Sequence, residues 1–412
     1  MANTTLTASI IAAEAITILD NELVMAKQVF RGYENEFDKK INGYTVGEEI
    51  SIRKPTDFTV RTNATMAVQD VTEGKTTIKV DQRRGVDFEF TSQDLTLKIG
   101  DLSERVIKPA MVQLANSIDT YLMGLYRDVY NWVGTPGQVI NSYADFALAP
   151  ERMDEYAVPS ERSSVLSPQD HWGLLGSQTA LYMSDVAKGA YRKGSLGEIG
   201  GVDTFMSQNV PTHIVGVATG TPLVNGANQD TTYALTKDTG TQTLVTKGWT
   251  NSVTGILKAG DVFTIGGVYA VNPVTKATLP FLKQFVVVAD ANSGASTGPA
   301  TLTIAPAMIA SGAFKNVSAG PADNAPITVM GTGGTGYRQN LAFHRNAFAL
   351  VAVPMVSPPG AVDVARKSYK GLNVRVIPVY DGTNDKSAWR LDVLFGGKTI
   401  DPRLAVRMSG SA

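Results

Sequence analysis

Between Ile199 and Tyr337 the chain contains no arginine and no glutamate, and glutamate does not return after Glu198. The same stretch is rich in Gly, Thr, Val, Ala and Asn. Arg and Glu are good helix formers and Glu is depleted from strands, so losing both while gaining Val and Thr predicts β structure. More ordinary sequence resumes on both sides. The break therefore reads as a β module inserted into a host domain, which requires the two ends of the insert to lie together at the host surface.

With 412 residues, the chain has room for about two or three domains. Its 43% hydrophobic content supports a sizeable core. The 37 basic and 38 acidic residues leave a net charge of -1, which argues against a dedicated nucleic-acid binder. No cysteine is present, so disulfides, cysteine-ligated zinc, iron–sulfur clusters and thiol catalysis are excluded. The first lysine is Lys27, and Glu14 interrupts the early apolar run, a pattern unlike a secretory signal. No run approaches the ~18 to 20 apolar residues of a membrane span, so no membrane partner is expected and the chain reads as soluble and made in the cytoplasm.

Along the chain, an apolar stripe from Ile10 to Phe30 predicts a helix over residues 8–37, long enough to act as a terminal arm. Residues 49–53 alternate as a strand. Residues 54–85 then turn polar and charged, with strand character at 76–80 and alternation at Val86, Phe88 and Phe90 behind it. This predicts a long two-stranded excursion, polar on both faces, that is barely stable alone and lies on a neighbouring surface. The strongest helical spacing runs from Pro109 to Val129. A shorter helix is expected from Pro150, then a strand ending at Leu166 and a helix capped by Ser167 before Pro168.

Inside the inserted module, residues 262–265 and 268–271 flank Gly266-Gly267 as a tight hairpin. Strands follow at 285–289 and 301–304, suggesting a small barrel or sandwich. The run 331–336 reads as a flexible Gly-rich hinge; it lacks the Lys-Ser or Lys-Thr of a phosphate loop. Beyond it, strands are expected at 347–353, 372–379, 389–395 and 404–408, with turns at Asp381-Gly382 and Gly396-Gly397.

Catalytic chemistry is hard to find. The three histidines, His171, His213 and His344, are far apart in sequence with no paired spacing, and read as ordinary structural residues. Ser195 lacks the spacing of a nucleophile elbow. No catalytic, metal or cofactor residue is assigned. The charged excursion offers instead salt links to an adjacent subunit, with candidates Arg53, Lys54, Arg61, Glu73, Asp81, Arg83 and Arg84. Exposed pairs are worth only ~0.2 to 1 kcal/mol each, so they would set register rather than strength. Within the module the candidate contacts are Asp261, Lys276, Lys283 and Asp290.

The order of these parts, carried by residues 46–58, 104–122, 193–211, 260–273, 340–353 and 390–408, resembles the major capsid (coat) proteins of tailed bacteriophages with the Hong Kong 97-type fold. Within them it is similar to the P22 coat protein-like members, which carry an extra inserted β domain. The resemblance implies an α+β fold with an N-terminal arm (1–44), an extended loop (45–92), a peripheral region with the spine helix (93–134), an axial and peripheral α/β region (135–215), an inserted β-barrel-like domain (216–337), and axial and closing peripheral strands (338–412).

It also implies a structural subunit, not an enzyme, that assembles in the host cytoplasm into an icosahedral virion capsid. Its partners would be hundreds of copies of itself as pentamers and hexamers, a scaffolding protein, a portal protein and a decoration protein. Packaged double-stranded DNA would be contacted non-specifically, which suits the near-zero net charge. The shell would form first as a procapsid and then expand. A folding and stabilising role is favoured for the insert. Two rival classes stand beside this reading: a non-viral shell of the same fold enclosing cargo, and a β-rich surface binding protein or adhesin.

Overall fold

The computed structural model describes residues 8–33, 40–41, 44–45, 49–61, 64–66, 68–91, 103–178, 196–358 and 364–411. The chain divides into two compact units. The first comprises residues 1–51, 77–123 and 348–398; the second comprises 52–76, 124–347 and 399–412.

The first unit is a five-stranded sheet carrying helices. Strand Lys386–Thr399 is its hub: it pairs with Gln82–Thr91 on one side and Leu372–Asp381 on the other, and Phe348–Ala352 joins it further along. Ala365–Tyr369 completes the order beside Leu372–Asp381. Helix Ala8–Glu22 packs on this sheet and on helix Lys108–Met123. Ile11, Ala15 and Leu19 are buried in the first helix, and Met111, Leu114, Ile118 and Leu122 in the second.

The terminal helix is shorter than its apolar stripe predicts, and it packs within its own unit. It stops at Glu22, and the chain turns into the short helix Met25–Gln28. The reason is Asp119 of the long helix, whose carboxylate accepts the Val24 N–H at 2.7 Å and the Ala26 N–H at 3.0 Å. Helix-terminal N–H groups need such an acceptor. Phe30 then pairs with the edge strand: its N–H donates to Phe348 O and its carbonyl accepts the Leu350 N–H, both at 3.0 Å. Residues 34–37 lie outside the described residues.

Gly396-Gly397 makes no turn; strand Lys386–Thr399 runs straight through it. A Cβ on Gly396 would lie 2.0 Å from the Lys79 carbonyl oxygen, and one on Gly397 3.0 Å from Leu122 and Tyr121. Both glycines are there for close approach of backbone and helix, not for chain reversal.

The second unit holds a six-stranded mixed sheet ordered Trp132–Val133, Ala405–Met408, Asn340–His344, Arg162–Leu166, Val202–Met206, Gly197–Ile199. Helices Tyr143–Glu155 and Pro168–Gln178 share its core with Phe146, Met153, Leu166, Leu174, Val202 and Val406. The first of these begins before Pro150, which sits inside it. Ser142 is the true cap, its hydroxyl accepting the Asp145 N–H at 3.1 Å. Ser167 and Pro168 open the second as expected.

Residues within 216–337 form a second six-stranded sheet ordered Gly220–Val224, Gln242–Trp249, Ala300–Ala305, Thr278–Val287, Val262–Val271, Ile327–Val329. Its two edges meet. Leu223 bridges Pro326, the Val224 N–H donates to Ala325 O at 2.9 Å, and the Asn324 N–H donates to Val224 O at 3.0 Å. Closure removes exposed strand edges. Phe263, Ile265, Phe285, Val287, Leu244, Leu302 and Met308 fill the interior.

Gly266-Gly267 is not a hairpin. Val262–Val271 is one strand with a register shift between Thr264 and Tyr269, and its hairpin partner is Thr278–Val287. The Gly266 N–H donates to Pro326 O at 2.8 Å, so the glycine pair accommodates a bulge at the barrel seam. Nor is 331–336 a free hinge. The Gly334 N–H bonds the Val215 and Gly216 carbonyls, each at 3.1 Å, and the Val215 N–H donates to Thr335 O at 3.1 Å. Beside it, Thr212–Ile214 pairs antiparallel with Gly336–Arg338. That pairing brings the two ends of residues 216–337 side by side.

Candidate functional site

Strand Glu49–Arg53 pairs with Lys75–Lys79 as a two-stranded ribbon, and most of the described residues in the connection between them are exposed. Where the ribbon opens, the Lys54 N–H donates to Gly74 O at 2.7 Å and Arg53 meets Glu73 at 3.2 Å. Farther out, Gln69 clasps Thr59: the Thr59 N–H donates to Gln69 Oε1 at 2.8 Å and Gln69 Nε2 donates to Thr59 O at 2.6 Å. The excursion is not polar on both faces. Phe58 is 57% exposed, Val60 93%, Met66 77%, Val68 82% and Val71 66%. Single exposed apolar residues are ordinary; here five fall on one short segment. Reading the segment by its charges hid them, although the alternation of Phe58 with Val60 and of Met66 with Val68 was visible in the letters.

The charged candidates divide by environment. Arg61 is exposed on the excursion, and Arg53 and Glu73 are engaged with each other. Arg84 Nη2 donates to Gln82 Oε1 at 3.1 Å, and Gln82 Nε2 donates to Asp81 Oδ1 at 2.8 Å. Arg83 is drawn inward: with Arg375 and Arg390 it donates to the buried Asp392, at 3.1, 2.6 and 2.8 Å. Burial acts to raise the Asp392 carboxyl, but the three guanidinium hydrogen bonds outweigh it and hold the group below the usual carboxylate range.

Two of the four candidates in the insert are corrected by burial. Asp261 and Lys283 are both nearly inaccessible and present no charge at the chain's surface. Asp261 Oδ2 accepts the Gly216 N–H at 3.0 Å and the Lys258 N–H at 2.7 Å, while Oδ1 lies 2.7 Å from His213 Nε2. His213 Nδ1 lies 3.0 Å from the Tyr126 hydroxyl. The carboxylate therefore ties the start of the insert to the chain around it. Lys283 Nζ stands over the rings of Tyr130 and Tyr156, at 4.5 and 4.8 Å, and reaches the Tyr156 hydroxyl at 3.3 Å. Burial pushes its ammonium down to about 7. Lys276 and Asp290 stay near the surface; Lys276 pairs with Asp57 at 3.3 Å, and Asp290 accepts the Ala259 N–H at 2.8 Å.

A family model described as "P22 coat protein - gene protein 5" matches residues 1–410. The chain belongs to the P22 coat protein family. A coat protein of this family is a major capsid protein, a structural subunit of a phage shell built from many copies. The chain is 23% identical over 408 residues to the "Major capsid protein" of Acyrthosiphon pisum secondary endosymbiont phage 1, covering 95% of each. Among solved structures it is similar to one from Mycobacterium phage Che8, at 14% identity and TM-score 0.48, covering 93% of this chain and 90% of that one. It is also similar to the capsid structure of the cyanophage P-SCSP1u, at 11% identity and TM-score 0.41 over all of both chains. Among the described residues no cluster of His, Asp or Glu is arranged to hold a metal ion.

Proposed function

We propose that copies of this coat protein close into an icosahedral shell by laying residues 54–74 over a neighbouring copy. Phe58, Val60, Met66, Val68 and Val71 supply the buried apolar contact, and Arg53, Lys54, Arg61, Glu73, Asp81 and Arg84 set its register. The observation that carries this reading is the exposure of those five apolar side chains on one short segment. Closed shells need heterologous contacts repeated around symmetry axes. Each contact is individually weak, so misplaced subunits can leave and rejoin.

In this reading the chain has no catalytic role, and residues 216–337 form the insertion that stabilises the subunit. Assembly takes place in the host cytoplasm, with a scaffolding protein and a portal protein, and the shell encloses double-stranded DNA gripped only weakly. The near-balanced charge supports the last point. Negative-stain electron microscopy of the purified protein, alone and with the products of its neighbouring genes, tests the proposal. Uniform hollow shells are expected; a soluble monomer under every condition would overturn it.

A further inference from the structure

The projecting segment does not leave the chain freely. Its outgoing root approaches the inserted barrel so closely that a Cβ on Gly74 would lie 2.3 Å from Lys237 O and 2.8 Å from the Tyr233 hydroxyl. The next residue, Lys75, donates its N–H to Asp238 Oδ1 at 3.0 Å. Both contacts fall on one short element of the insert, helix Tyr233–Thr236 and the two residues after it. That element is itself braced, since the Tyr233 ring stacks on Phe314 at 3.4 Å between centroids with 9° between planes.

The incoming root is held separately. Asp57 meets Lys276, on the barrel's 272–277 turn, at 3.3 Å, and Arg403 at 4.0 Å. The turn is pinned in its own right: Asn272 Oδ1 accepts the Val274 and Thr275 N–H groups at 2.9 Å each, and Asn272 Nδ2 donates to Glu155 O at 2.7 Å. Arg403 is oriented by Asp401 at 2.8 Å.

We infer that the inserted barrel is a two-point clamp on the root of its own chain's projecting segment, gripping it at Gly74–Lys75 and at Asp57. Between the clamps, the exposed side chains of Phe58, Val60, Met66, Val68 and Val71 are available to a second copy of the chain. The insert then directs where the apolar side chains Phe58 to Val71 are presented, in addition to stabilising the subunit. A direct backbone grip suits this task, because a bond to a main-chain N–H fixes the path of the segment where a side-chain contact would let it swing. Gly74 is required because no larger residue permits the approach.

The inference rests on the shell reading for its purpose but not for its test. Hydrogen–deuterium exchange is followed in the unassembled full-length subunit for the wild type, Asp238→Ala, Gly74→Val and Asp57→Asn. In the first two variants, exchange in peptides covering residues 70–79 is expected to speed up at least tenfold, with peptides from strands Val262–Val271 and Thr278–Val287 unchanged. Asp57→Asn is expected to speed exchange in peptides covering 54–61. Unchanged exchange at 70–79 in Asp238→Ala overturns the clamp, whatever the assembly outcome.

Under assembly conditions, the variants that exchange fast are expected to give a several-fold lower yield of closed shells than the wild type. Normal shells from a subunit shown to be unclamped would overturn the directing role. Failure of the wild type itself to form shells would count against the shell reading and leave the exchange result to decide the clamp.

Discussion

Lys283 is the residue most at odds with its surroundings. It sits on a barrel strand among Tyr130 and Tyr156 with no carboxylate in hydrogen-bond contact. Because burial lowers its native proton affinity to about 7 from an ordinary 10.5, the unfolded chain holds this proton in a range where the native chain does not. Stability contributed by this site therefore rises as pH increases from about 7 to about 10.5, and the penalty is fully present below 7. Lys283→Met, similar in volume and uncharged, is expected to raise the melting temperature near neutral pH and to flatten the rise between pH 7 and 10 seen by calorimetry. The opposite logic governs Asp261. It satisfies two backbone N–H groups and His213, so Asp261→Ala leaves buried donors without an acceptor. A loss of about 2–4 kcal/mol in urea unfolding is expected. Neither role was visible in the sequence, where both residues looked like surface charges in a charge-poor module. Burial is a property of the closed barrel and not of the local letters.

Among the elements, the hub strand Lys386–Thr399 shows how the same residues admit two readings. Gly396-Gly397 looked like a turn because paired glycines punctuate chains. In the fold they are where the strand must come within van der Waals distance of the Lys79 carbonyl and of helix Lys108–Met123. Gly396→Ala is expected to cost ~3 kcal/mol through overpacking, read as a lower urea midpoint with an unchanged slope. The projecting segment makes the contrary prediction. Phe58→Ser, Val60→Ser and Val68→Ser together touch side chains that are already exposed, so subunit unfolding should shift by less than ~1 kcal/mol. Shell assembly measured by light scattering should fail. A variant that assembles normally would remove these residues from the contact surface.

For the whole molecule, the insert is bound into the second unit by more than its two connections. Tyr130, Trp132, Val215 and Tyr337, outside or at the edge of the insert, form one buried cluster with Val262 and Val286 of the barrel. Gln284 reinforces it, accepting the Trp132 N–H at 2.8 Å and donating back to Trp132 O at 2.7 Å. Replacing residues 217–336 with a short Gly-Ser linker would uncover that cluster, and each buried aromatic ring represents roughly 150–250 Å² of surface. Insoluble or polymorphic product is therefore expected on expression, checked by sedimentation and electron microscopy. Normal closed shells from this deletion would defeat the stabilising role proposed for the insert.

The sequence by itself determined the α+β class, the order of the major elements, the long helix from Pro109, the β character of the stretch without Arg or Glu, and the resemblance to phage coat proteins. These are written in local periodicity and composition, which neighbouring residues carry among themselves. Only the tertiary structure decided which charges are buried, which glycines turn the chain and which admit a close neighbour, where the terminal helix ends, and that the barrel grips the projecting segment. Each depends on a partner far away in sequence: Asp119 for Val24, Lys79 for Gly396, Asp238 for Lys75. No local pattern records such a partner, because the free energy of the contact exists only once the chain has brought the two residues together.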